Sequence, residues 1–130
     1  MPPRKGLSRG EMEVARIVWD LRQASVRQVL EALPSDRDID FTTVQTYLRR
    51  LEEKGYLNVR LDGRTRIYSP RVRPQTVIRE SVEDFVDLLF AGDAMPLVKH
   101  LVEEQKFSPE DIQHLRQLLD RLEGECDNDT

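Results

Sequence analysis

The chain has 130 residues, 38 % of them hydrophobic and 34 % charged, with a formal net charge of −4. That length suits one ordinary domain or two small units, and no stretch approaches the roughly 20 consecutive apolar residues of a membrane helix, so no membrane-spanning helix is expected. The average charge conceals an asymmetry. Residues 1–73 carry 15 Lys/Arg against 10 Asp/Glu, a net of +5, whereas residues 74–130 carry 5 against 14, a net of −9. A basic front half fits phosphates, and an acidic rear half fits some other task.

The chain opens Met1-Pro2-Pro3-Arg4-Lys5 and runs into polar sequence without an apolar signal core, so a cytoplasmic location is expected. A first helix is predicted over residues 7–21, with Ser8 as cap, Glu11 at N3, and Leu7 and Met12 as a hydrophobic staple. Met12, Ala15, Ile17, Val18, Trp19 and Leu21 form its apolar set, and Trp19 reads as a core anchor. Ser25, with Gln28 at N3, starts a second helix that Pro34 ends at Leu33. A third begins near Thr42, with Gln45 at N3 and an inward set of Val44, Tyr47, Leu48 and Leu51; Gly55 follows it as a left-handed stop. The period then changes to strand over residues 56–60 and 65–69, with Asp62-Gly63 as the hairpin turn. Ile67 is expected to point inward and Arg66 outward. Three further helices follow: 76–90, 96–104, and a last one started by Ser108-Pro109 with Glu110 and Asp111 in its first turn. Cys126, the single cysteine, excludes an intrachain disulfide framework and a cysteine-rich metal site.

Three helices followed by a hairpin make a winged helix-turn-helix unit. The fold class expected is mainly α with a small β-hairpin: a winged-helix DNA-binding domain over 1–73 and a three-helix dimerisation region over 74–130. An enzyme is not expected. The two histidines, His100 and His114, form no zinc motif, and no phosphate-binding glycine loop or nucleophile elbow occurs. Neither a cofactor nor a metal is called for. The chemistry lies instead on the third helix, where Thr43, Gln45, Thr46 and Arg49 can face away from the Val44–Leu48–Leu51 side. These are base-reading side chains: Arg pairs with guanine, Gln with adenine, and Thr offers a hydroxyl or methyl. Arg50 is assigned to the DNA backbone. Arg60, Arg64 and Arg66 give the hairpin positive charge for phosphate, with Arg64 nearest the tip, and Arg4, Lys5 and Arg9 add contacts from the amino end.

The rear helices hold more Leu, Val and Phe than a monomer of this size buries with ease. A second copy would cover them, with Phe85, Leu89, Leu101, Leu115, Leu118 and Leu122 at the seam, and would set two recognition helices on successive half-sites of duplex DNA. The alternative is a winged-helix protein-interaction adaptor that does not read DNA sequence.

The residues resemble one family, the BlaI/MecI/CopY repressors of penicillinase, methicillin-resistance and copper-homeostasis operons. The likeness is carried by Leu7-Ser8 with Glu11, Glu13-Val14 and Trp19, by the run from Thr42 to Leu51, and by Lys54-Gly55-Tyr56-Leu57. It continues through Gly63-Arg64, Tyr68-Ser69-Pro70, Glu80-Ser81, Leu89-Phe90-Ala91-Gly92, Leu97-Val98 and the run from Leu115 to Leu119. The resemblance implies a homodimeric repressor on a palindromic operator, with Thr43, Gln45, Thr46 and Arg49 on the recognition surface and Arg64 in the wing. In the family's penicillinase branch repression is relieved by cleavage in the dimerisation region, triggered by a membrane sensor protease. Two departures stand out: the cleaved Asn-Phe pair of the penicillinase branch falls at His100-Leu101, and Cys126 alone replaces the copper branch's cysteine cluster.

Overall fold

The computed structural model describes residues 5–128, and side-chain surroundings for 5–126. Local capping chemistry sets most helix starts. Helix α1 (Arg9–Leu21) begins at Ser8, whose Oγ accepts the Glu11 N–H at 3.2 Å while Glu11 Oε1 accepts the Ser8 N–H at 2.9 Å. The same reciprocal pair, Ser25 with Gln28, opens α2 (Val26–Ala32). Leu33 is then extended, as a residue before proline must be.

Helix α3 (Phe41–Glu53) starts two residues earlier than expected. Its cap is Asp40, which accepts the Thr43 N–H at 2.8 Å, so Thr42 lies inside the first turn. Ile39, just before the cap, packs against the core and fixes the entry of the chain. At the other end Gly55 takes φ +88°, the left-handed stop that only glycine adopts without strain.

Strands β1 (Leu57–Asp62) and β2 (Thr65–Pro70) pair antiparallel, with Val59 opposite Tyr68 and Arg60 opposite Ile67. The two-residue loop is Gly63-Arg64, with Gly63 at φ +65°. The inward residue of β2 is Tyr68 and not Ile67: Tyr68 is 1 % exposed, and Ile67 is half-buried. The cause is long-range. Tyr68 and Ala24 exchange both backbone hydrogen bonds, at 2.8 and 2.9 Å, which binds the root of the hairpin to the segment between α1 and α2.

The core gathers Val14, Ala15 and Val18 of α1, Val29 of α2, Val44, Leu48 and Leu51 of α3, and Leu57 and Tyr68 of the hairpin. Trp19 packs against it, as does Leu7, but Met12 and Leu21 are exposed, so the staple expected between Leu7 and Met12 is not made within the core. One acid joins this core. Glu11 is 2 % exposed, and its Oε1 also accepts from Lys54 Nζ at 2.8 Å.

The remaining helices are α4 (Pro74–Phe90), α5 (Met95–Glu104) and α6 (Pro109–Asn128), the last opened by a Ser108–Asp111 capping pair. The chain divides into compact units at Met1–Val82 and Glu83–Thr130. The first compact unit runs past residue 73 and takes in the start of α4. Val77 is 3 % exposed and belongs to the head's core, which draws the first turns of α4 into that unit.

Candidate nucleic-acid interface

Burying Val44, Leu48 and Leu51 completely orients α3. At 3.6 residues per turn the opposite side must carry Thr42, Thr46 and Arg49, with Phe41 and Gln45 on one flank and Thr43 and Arg50 on the other. Exposure agrees: Thr42, Arg49 and Arg50 are open, while Thr43, Gln45 and Thr46 are half-buried. The Thr46 hydroxyl donates to the Thr42 carbonyl at 3.0 Å, so its proton is committed to the helix. Of the four residues expected to read bases, Thr46 and Arg49 stand centrally and Thr43 and Gln45 stand on opposite flanks. Thr42 joins them on this side, although its sequence context reads as a cap; Asp40 followed by Thr43 at N3 is the signal that places it inside the helix.

The hairpin separates the three arginines that the sequence grouped. Directly paired residues share a face, so Arg66 lies with Leu61 and Tyr68 on one face, and Arg60 with Ile67 on the other. Arg60 is further held by Gln23 Oε1 at 3.1 Å. Arg64 occupies the loop and is exposed. Arg64, Thr65 and Arg66 join Phe41 and Gln45 of α3, the cap residue Ser25, and Val26 and Arg27 of α2 around one open recess. Arg27 is a second residue that sequence reasoning missed, since nothing in the α2 pattern sets it beside the wing.

Two other cations are already engaged. Arg37 pairs with Glu13 at 2.7 Å, and Lys54 pairs with Glu11. No ion pair among the described residues engages Arg27, Arg49, Arg50, Arg64 or Arg66, so their charge is open to an anionic partner. At the amino end Lys5 and Arg9 are exposed, and Arg4 lies outside the described residues. The Lys5 and Gly6 carbonyls accept from Tyr56 Oη at 2.6 Å and Lys54 Nζ at 3.0 Å, which anchors this segment near the end of α3.

In the second unit the residues expected at a dimer seam are all exposed: Phe85, Leu89, Leu101, Leu115, Leu118 and Leu122. Val86 is its one buried hydrophobic side chain among the described residues. His100 and Leu101 lie on α5 and are exposed. Among the described residues no group of side chains suits a metal ion, and no helix is long and apolar enough to cross a membrane.

A helical trio, its outward third helix and a basic hairpin define a winged helix-turn-helix protein, a DNA-binding transcriptional regulator. The chain belongs to the penicillinase repressor family, whose sequence profile matches residues 7–121. It is 27 % identical over 115 residues to the methicillin resistance regulatory protein MecI of Mammaliicoccus sciuri, covering 88 % of this chain and 94 % of that one. It is 28 % identical over 114 residues to the penicillinase repressor of Bacillus licheniformis, covering 88 % and 89 %. Among solved structures it resembles the DNA-binding domain of the repressor BlaI at 30 % identity and a TM-score of 0.50, over 57 % of this chain and 90 % of that one. The family is one of repressors and not of enzymes.

Proposed function

We propose that the chain is a homodimeric repressor that binds a palindromic operator through its two winged-helix heads. The observation that carries this reading is the recess where the Gln45 flank of α3 meets Arg64 and Arg66 of the wing and Arg27 of α2. It puts an amide and three guanidinium groups side by side on one surface, which supports a reader of bases and phosphates. Thr43, Gln45, Thr46 and Arg49 read base edges; Arg50, Arg64 and Arg66 hold phosphates, and Lys5, Arg9 and Arg60 stand in weaker reserve. The partner copy covers the apolar side chains that the second unit leaves open. Repression is relieved by damage to that seam, with α5 around His100-Leu101 as the exposed stretch where a membrane sensor protease would act.

Selection from a random duplex library, followed by a salt titration on the winner, tests the reading. The expected product is an inverted repeat, its half-sites about one helical turn or a multiple apart. Its affinity should fall steeply as salt rises. Weak polyanion binding without enrichment of any sequence would overturn the repressor reading in favour of a protein-interaction adaptor.

A further inference from the structure

Phe41 is the first residue of α3 and is 45 % exposed, although the fold does not need it there. It belongs neither to the buried core nor to the apolar residues packed on it, a place that Ile39 fills at this end of the helix. Phenylalanine is also no better than average at forming helices. Phe41 lines the recess with Gln45, Arg27, Arg64 and Arg66, and no acidic residue shares that lining. The nearest acid in sequence, Asp40, is occupied in capping the Thr43 N–H.

We propose that Phe41 is a specificity-determining residue, which reads the 5-methyl group of a thymine in the major groove beside the base pair that Gln45 contacts. This rests on the operator-binding reading above. The charge of the recess selects the occupant, because three arginines and no acid suit a polyanion. An aromatic edge in a groove otherwise read by polar groups has one apolar feature to meet, the thymine methyl. Phe41 and Gln45 are four residues apart, so they stand one above the other on one flank of α3, roughly 5–6 Å apart. With base pairs about 3.4 Å apart along each strand, the thymine lies one or two steps from the pair that Gln45 reads.

The test uses the full chain and the duplex it selects from a random library. Each thymine is replaced in turn by deoxyuridine, which removes the methyl and leaves every hydrogen-bonding group. Wild type should lose about fourfold in affinity at one position per half-site, the effect of burying one methyl-sized group. Phe41→Ala should bind more weakly and show no loss at that position, whereas Phe41→Leu should keep part of it. Circular dichroism confirms that both variants are folded, as expected for an exposed site. A sequence-selective chain whose deoxyuridine losses are the same in wild type and Phe41→Ala overturns this assignment alone. So does a selected operator without thymine within two steps of the Gln45 pair, located by Gln45→Ala. A chain without sequence preference overturns the function itself, and this assignment with it.

Discussion

Glu11 shows how one side chain serves both a helix end and a core. Burial pushes its carboxyl up, but the hydrogen bonds from Lys54 and Ser8, together with the Lys54 charge, outweigh that and hold its pKa below the ordinary 4.5. A carboxylate whose native pKa lies below its unfolded one adds stability above about pH 4.5, and loses it as pH falls through the lowered value. Urea unfolding should therefore show a gap between wild type and Glu11→Gln that is widest near neutral pH and closes on acidification. A gap independent of pH would remove the charge from the account. Lys54→Met should cost about 1–3 kcal/mol, because Glu11 Oε2 already lacks a partner and Oε1 would lose its cation. Close packing sets a second residue. A Cβ built on Gly10 falls 2.5 Å from the Tyr47 ring of α3. Gly10→Ala should destabilise by about 1–3 kcal/mol. In a Tyr47→Ala background the same change should stabilise instead, since only helix propensity remains. Thermal unfolding of the four proteins reads that reversal of sign. On the DNA face, Arg49→Ala should weaken operator binding by about 1–3 kcal/mol while sparing a scrambled duplex, and Arg64→Ala should weaken both alike. Equal losses for Arg49→Ala on the two duplexes would take it out of base readout.

At the scale of elements, the start of α3 decides which side chains the helix presents. Asp40 and Thr42 both fit a cap, and Thr42 has the more persuasive sequence, with Gln45 where a capping box would place it. The competition is settled by Ile39, whose packing on the core puts Asp40 at the cap and Thr42 inside the first turn. The Thr43 hydrogen bonds hold the Asp40 carboxyl below its usual pKa. Asp40→Ala should accordingly lower Tm, whereas Thr42→Ala should leave Tm unchanged and weaken operator binding. The opposite pattern would restore Thr42 as the cap. The wing carries a similar lesson. Local alternation leaves open which face of β2 is buried, and the pairing of Tyr68 with Ala24 is what turns the tyrosine in and parts Arg60 from Arg66.

At the scale of the molecule, the two units differ in how much they bury. The head has a full core, while the tail keeps Leu88 85 % exposed and Leu119 61 % exposed. Val77 ties the start of α4 to the head, and burying a valine contributes about 1.5–3 kcal/mol. A fragment of residues 1–82 should therefore be monomeric and folded, with a higher Tm than a fragment of 1–73. Equal melting of the two would detach α4 from the head. A proposed dimer also makes a prediction about avidity. Linking two weakly binding heads makes the second engagement intramolecular, worth roughly 10²–10⁴ in affinity if the spacing fits. Leu101→Asp, or cleavage at an engineered site at His100-Leu101, should abolish tight operator binding and leave the head folded. Sedimentation, operator binding and circular dichroism together check it; undiminished affinity after complete cleavage and separation would sink the mechanism.

The sequence by itself determined the order of the elements, the caps of α1, α2 and α6, the glycine stop after α3 and the opposition of basic and acidic halves. All of these rest on contacts within a few residues: a serine and the side chain three positions on, a glycine at a positive φ, a run of charge. Tertiary structure alone decided where α3 begins, which hairpin face is buried, how the wing arginines divide, and that Arg27 and Phe41 border the same recess as Gln45. It also drew Val77, and with it the start of α4, into the head's core. Each of those depends on a partner distant in the chain, such as Ala24 for Tyr68 or the core for Ile39. A period of 2 or 3.6 tells which residues share a face, and only the packed neighbour tells which face is turned inward.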